Sequence, residues 1–146
     1  MKKYLLVFLC VAHFSTMAFS QEPPQQVSDA FKAKFSGAQL LNYIASGGQH
    51  ILMFKLGNQA AKATFDASGT CLTTMFVVAA TDAPESIRDY LKVKYAGEDF
   101  KDFWRVEAGG TTLFKANSGS KSITFDGDGG FRSEESLDAD ALNGFR

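Results

Sequence analysis

The chain has 146 residues, 21% of them charged, and a formal net charge of −1. That length fits a single domain with a real core, and the charge balance offers no basic surface for nucleic acid or an anionic membrane. We therefore expect no nucleic-acid partner.

The first twenty residues have the features of a secretory signal peptide. Two lysines precede an apolar run, Tyr4 to Phe14, which is too short to span a bilayer. Ala18 and Ser20 place small residues just before a cleavage point. We expect residues 1–20 to be removed, leaving a periplasmic or secreted chain with no membrane insertion after cleavage.

Of the two cysteines, one lies inside this predicted signal peptide. A lipoprotein attached through Cys10 is disfavoured, because Leu9 stands where a small residue is needed. Cys71 then remains alone and cannot form an internal disulfide. A lone cysteine is either a reactive thiol or a small buried hydrophobe, and we favour burial for Cys71.

One short phrase occurs twice in the chain. "TFDASGT" begins at Thr64 and "TFDGDGG" begins at Thr124, an offset of 60 residues. At that offset 28–70 aligns with 88–130 without a gap, and about two or three identities would be expected by chance. The alignment instead has ten: Asp29/Asp89, Lys32/Lys92, Lys34/Lys94, Gly37/Gly97, Phe54/Phe114, Lys55/Lys115, Thr64/Thr124, Phe65/Phe125, Asp66/Asp126 and Gly69/Gly129. We interpret this as an internal duplication.

Each copy is predicted to form one helix followed by four strands. Large apolar residues at a spacing of four mark the helices, and short runs separated by glycine turns indicate antiparallel hairpins. The helical triads are Val27, Phe31 and Phe35, then Ile87, Leu91 and Tyr95. The predicted fold class is α+β, a tandem duplication of a helix plus a four-stranded antiparallel meander, with the helices packed on one face. Repeat 1 is assigned to 21–80, repeat 2 to 81–137 and a C-terminal tail to 138–146.

The alternation of side chains along the strands predicts which residues face the helices. Phe54, Phe65 and their counterparts in the second copy are assigned inward, which turns Lys55 and Lys115 outward. In the first strand of each copy the alternate residues form two sets, and either set could face the helices. We assign the larger apolar set inward, Leu40 and Ile44 with Phe100 and Trp104, which leaves Tyr43, Phe103 and Arg105 on the open side of the sheet.

The helix ends "FKAKFSGA" and "LKVKYAGE", together with the two "TFD" turns, resemble the PepSY-like domain of exported Bacteroidetes proteins. The resemblance runs from Val27 to about Leu137. It departs at Ser36 and Ala96, where a proline often ends the helix, and at Ile44, where a tryptophan is usual. It implies a fold similar to that of the β-lactamase-inhibitor protein, in an exported, non-enzymatic domain that binds or inhibits other proteins.

Residues suited to catalysis or metal binding are scarce. Beyond the predicted signal peptide there is a single histidine, His50, and no spacing links it to a nucleophile such as Cys71. "DGDGG" from Asp126 begins like a calcium loop, but the twelfth position is Leu137 instead of glutamate. We expect no enzyme, no cofactor and no metal.

The remaining candidate for a functional region is the open side of the sheet. Aromatic residues, arginine and methionine often carry binding energy between proteins. The candidate protein-binding residues are Tyr43, Met53, Lys55, Phe103, Arg105, Leu113 and Lys115. We expect a non-catalytic module that binds an unidentified protein, with an inhibitor-like action as one form of this function. The alternatives are a structural or envelope-assembly accessory that forms a homodimer through the same face, and an enzyme whose site the sequence does not reveal.

Overall fold

The computed structural model describes residues 22–137, so the predicted signal peptide at 1–20 and the predicted tail at 138–146 lie outside the described residues. The elements are α1 (Gln25–Lys34), β1 (Gln39–Ser46), β2 (Gln49–Leu56), β3 (Gln59–Asp66), β4 (Cys71–Val78), α2 (Glu85–Lys94), β5 (Asp102–Ala108), β6 (Thr111–Asn117), β7 (Lys121–Asp126) and β8 (Phe131–Ser136). The eight strands form one open antiparallel sheet in chain order, β1 to β8. The α+β prediction is confirmed.

The repeated phrase forms the same turn in both places, as predicted. Asp66 Oδ1 accepts hydrogen bonds from the amides of Ser68 and Thr70, both at 2.9 Å. Asp126 Oδ1 accepts them from the amides two and four residues later, at 3.1 and 2.7 Å. The glycine three residues after each aspartate has a φ of +83° or +89°, a conformation that disfavours any side chain. Because the turn bonds form within five residues, local sequence alone specifies these hairpins.

Each helix covers one buried cluster of apolar side chains. Phe31 of α1 meets the ring of Phe54 edge-on at 5.0 Å, and Phe54 and Phe65 are fully buried. The first cluster contains Val27, Phe31, Phe35, Leu52, Phe54, Ala61, Ala63, Phe65 and Phe76. The second contains Ala83, Ile87, Leu91, Tyr95, Phe103, Ala116, Ile123 and Phe125. All six residues of the predicted helical triads lie in these clusters.

Both helices lie on the same side of the sheet. Phe76 belongs to the first cluster, and Val78, two residues later on β4, packs against the second. Residues two apart on a strand point to one side, so the two clusters share that side. We call it the helix face and the opposite side the open face.

Cys71 begins β4 and packs against the first cluster, where it is half-buried. Its Sγ lies 3.5 Å from the hydroxyl oxygen of Thr74. The expectation of a packed thiol is thus met in part, since the side chain retains some exposure.

The turn that joins β3 to β4 also touches α1, which gives a test of the helix-to-sheet packing. A Cβ on Gly69 would lie 2.9 Å from the carbonyl oxygen of Gln26, whereas one on Gly37, at a similar φ of +79°, would meet nothing within 4 Å. Gly37→Ala should lower the free energy of unfolding by about 1 kcal/mol through backbone strain alone. Gly69→Ala should lose at least about 1 kcal/mol more, since α1 must also move. Urea unfolding of both variants measures this difference, and equal losses would contradict the described contact.

Candidate functional site

The structure divides the seven predicted site residues between the two faces. In an antiparallel sheet, directly paired residues point to the same side. Met53 pairs with Lys62, and Lys115 pairs with Trp104. Met53, Lys55, Leu113 and Lys115 all lie on the open face, as predicted. Tyr43, Phe103 and Arg105 lie on the helix face, so their assignment to the open face was wrong.

A bulge explains the error in β1. The register shifts between Leu40 and Asn42, so Leu40 pairs with Phe54, and Tyr43 pairs with Leu52. The extra residue breaks the period of two along the strand. Tyr43 therefore packs against the first cluster, and its hydroxyl lies 2.7 Å from Nδ1 of His50.

The error in β5 has a different cause. Phe100 was counted as part of the strand, but β5 begins at Asp102, and Phe100 packs instead on the ring of Tyr95 at 5.7 Å. Phe103 then takes the inward position and is 4% exposed in the second cluster. Arg105 shares this side, with its guanidinium carbon 4.9 Å from the ring centre of Phe76. Trp104 is consequently turned to the open face.

The open face carries apolar side chains on β2, β4, β5 and β6. One row runs across five neighbouring strands, from Met53 through Lys62, Met75 and Val106 to Leu113. A second row places Val77 beside Trp104, and Trp104 beside Lys115. We call the six apolar members the apolar belt: Met53, Met75, Val77, Trp104, Val106 and Leu113.

Four belt residues were missed as site residues in the sequence. Met75 and Val77 lie on the central strand β4, which the sequence marks as apolar on both sides, "TCLTTMFVVA". That two-sided pattern was the available signal. Trp104 and Val106 were missed because the alternate residues of β5 were assigned to the wrong faces of the sheet.

Lysines are set into and around this belt. Lys62 lies between Met53 and Met75 along the first row, and Lys55 is exposed on β2. Burial lowers the pKa of Lys62, and the positive charge of Lys115 lowers it further. The middle of the open face therefore combines apolar side chains with lysines.

Next to the belt lies a depression of about 1010 Å³. Its walls include Lys62, Met75 and Trp104 from the sheet. Its other lining residues come from the segment before β5, from β5 itself and from the β6–β7 connection: Glu98, Asp99, Lys101, Asp102, Asn117, Ser118, Gly119 and Ser120. The depression is thus bounded by mixed charges on one side and by the belt on the other.

A polar network holds the outer rim of this depression. Lys121 Nζ contacts Glu98 Oε1 at 2.8 Å and Glu134 Oε1 at 3.5 Å. Ser118 Oγ donates a hydrogen bond to the other oxygen of Glu98, at 3.3 Å. Tyr95 donates its hydroxyl proton to Glu134 Oε2 at 2.6 Å. These contacts tie the end of α2 to β7 and β8, and so position the rim.

Across 22–137, no group of three or more His, Cys, Asp or Glu side chains is placed to hold a metal ion. His50 stacks on Tyr43, with ring centres 5.9 Å apart. In the same span, no helix has the length and apolar character needed to cross a membrane.

No protein-family model and no curated protein matches the chain. Solved structures from Bacteroides do match it. A DUF2874 family protein from Bacteroides uniformis has a TM-score of 0.73 at 13% identity, over 79% of this chain and 90% of that one. A BLIP-like protein from Bacteroides fragilis has a TM-score of 0.68 at 17% identity, over 80% and 87%. A Bacteroides eggerthii protein, described provisionally as periplasmic, has a TM-score of 0.72 at 11% identity, over 84% and 94%.

The chain has the BLIP-like fold. The structural likeness thus confirms the fold that the sequence resemblance implied. The PepSY name and the duplication of an ancestral half remain predictions from the sequence.

The contact between Tyr95 and Glu134 predicts a pH dependence at the rim. Accepting this hydrogen bond lowers the pKa of Glu134, and the same bond, together with burial and the nearby carboxylate charge, raises the pKa of Tyr95 from 10.0 to about 12. The folded-state pKa is the higher one, so the stabilisation is fully present below pH 10 and is lost between pH 10 and about 12. A phenolate component in the ultraviolet titration should appear near pH 12 and disappear in Tyr95→Phe. Glu134→Gln should move it back towards pH 10, and a parent protein without the late component would contradict the contact.

Proposed function

We propose that the chain is an exported, non-catalytic module that binds another protein with its open sheet face. The observation that carries this proposal is the apolar belt, whose members lie on β2, β4, β5 and β6 on the side of the sheet opposite the helices. Contiguous apolar patches that contain tryptophan and methionine are typical of interaction surfaces, whereas single exposed apolar residues are common on any protein.

Export is supported by the predicted signal peptide at 1–20 and by the provisional periplasmic description of the Bacteroides eggerthii protein. The BLIP-like name of the Bacteroides fragilis protein suggests an inhibitor-like action as one form of this binding. The PepSY-like assignment and the division into repeats at 21–80 and 81–137 belong to this proposal as well. They account for the element order, in which a helix followed by four strands occurs twice.

Self-association through the same face is the second candidate. A face-to-face homodimer would cover the apolar belt of both copies. It would also bring Lys55 and Lys115 of each copy into one interface, where like charges oppose association. These lysines therefore favour a different protein as the partner.

Photo-crosslinking can locate the binding surface with two matched positions. Val77 lies on the open face and Val93 lies on α2, and both side chains are exposed. A photoreactive amino acid at Val77 should give a protein adduct in the envelope of the expressing cells, and one at Val93 should not. Excess unlabelled parent protein should suppress the adduct, and excess Trp104→Ala should not.

The mass of the crosslinked adduct identifies the kind of partner. An adduct containing a different protein supports the proposal, and an adduct of two copies of the chain supports self-association. Equal adducts at Val77 and Val93, or none at Val77, would contradict binding through the open face.

A further inference from the structure

The first strand forms an exposed, apolar edge of the sheet. Among residues 22–137, β1 pairs only with β2, so its other side has no strand beside it. Seven of its eight residues are exposed, and they include three large apolar side chains, Leu40, Leu41 and Ile44. Such an edge presents backbone N–H and C=O groups on which another strand can pair.

The two edges of the sheet differ in charge. The sequence of β1, "QLLNYIAS", has no charged side chain. The opposite edge, β8, carries Arg132, Glu134 and Glu135 within six residues. Because charged side chains discourage a second strand from pairing at an edge, β1 is the edge that accepts one.

The hairpin between β1 and β2 decides which backbone groups of β1 point outward. Ser46 and Gln49 flank its two-residue turn, so their backbone groups bond to each other. Hydrogen-bonded and non-hydrogen-bonded pairs alternate along an antiparallel ladder. The backbone groups of Tyr43 and Ala45 therefore point away from β2. In agreement with this direction, the amide of Tyr43 donates to Oδ1 of Asn42 at 2.8 Å.

One twofold register joins these outward groups to those of a second copy of β1. In this register Tyr43 of each copy pairs with Ala45 of the other, and both residues lie on the helix face. Ile44 then lies directly opposite Ile44 of the second copy, and Asn42 lies opposite Ser46. These three residues share the open face, so every pair points to one side, as antiparallel pairing requires. The bulge before Asn42 limits the paired segment to 42–46.

We propose that two copies of the chain pair through β1, which gives a twofold dimer with one continuous antiparallel sheet. This pairing brings no charged side chain of β1 into the interface, whereas pairing of two β8 edges would bring four glutamates together. The interface is shorter than the roughly 1,200 Å² of stable complexes, and Asn42 Oδ1 competes for the amide of Tyr43. The dimer is therefore weak and depends on protein concentration.

The dimer leaves the open face free, so this inference goes beyond the proposed function and does not depend on it. Paired strand residues point to the same side, and the open faces of both copies therefore lie on one side of the joined sheet. Two apolar belts presented to one side allow bivalent binding, which strengthens attachment without any new contact.

A cysteine at Ile44 tests the register. The backbone groups of Ile44 point to β2, so the two copies of this residue form a non-hydrogen-bonded pair with Cα atoms about 4.5 Å apart, within the range of a disulfide. Leu41→Cys is the matched control, because Leu41 is exposed on the same strand but lies outside the paired segment. In a glutathione buffer, the disulfide-linked dimer of Ile44→Cys should exceed that of Leu41→Cys at least about fivefold. The parent, which retains Cys71, gives the background.

A proline at Ala45 then tests the edge itself. The amide of Ala45 points outward, so Ala45→Pro removes a donor from the dimer and leaves the β1–β2 hydrogen bonds in place. Circular dichroism and thermal unfolding establish that the variant is folded. Added to Ile44→Cys, it should lower the trapped dimer to the level of Leu41→Cys. In sedimentation velocity of the mature protein without added cysteine, a concentration-dependent dimer should appear and be lost in Ala45→Pro.

Three results would overturn this inference. They are equal trapping at Ile44 and Leu41, a dimer that Ala45→Pro leaves unchanged, and a mature protein that stays monomeric at the highest soluble concentration. A series of larger oligomers would also overturn it, in favour of head-to-tail pairing of β1 with β8. None of these results bears on the proposed function, which the crosslink at Val77 on the open face tests separately.

Discussion

The structure depends on how much of a wide sheet two short helices can cover. Eight strands at about 4.8 Å spacing make a sheet about 38 Å wide, and each helix is about 10 Å across. Both helices are ten residues long and pack on the same side. Antiparallel sheets tolerate one uncovered side when that side is polar. Here the uncovered side carries the apolar belt, which is the basis of the proposed binding function.

The parts of the fold that rest on local chemistry could be predicted from the sequence. The turn at Asp66 is specified by an acceptor side chain and a glycine within five residues, and the same holds at Asp126. Strands β2 and β3 keep strict alternation, so the burial of Phe54 and Phe65 followed from their positions. Helix faces were predictable because the apolar spacing of four extends over whole helices.

The faces of β1 and β5 could not be predicted, since they depend on events outside the strand pattern. The bulge next to Leu40 shifts by one residue the alternation that decides which side chains of β1 face the helices. Phe100 leaves the strand to pack on Tyr95, which removes it from the count that sets the parity of β5. A one-residue change exchanges every side chain between faces. The three site residues that were misplaced, Tyr43, Phe103 and Arg105, all lie on these two strands.

Within the apolar belt Val77 is exposed, Val106 is buried, and both methionines are half-buried. The most direct test of the belt's accessibility uses these methionines. The chain has four, and the two that lie outside the predicted signal peptide, Met53 and Met75, both lie in the belt. Methyl-labelled methionine in the mature protein should therefore give two NMR signals, each reporting on the open face. In the free protein a soluble gadolinium chelate should accelerate the relaxation of both methyl groups. Methyl groups that are shielded from the chelate in the free monomer would contradict the account.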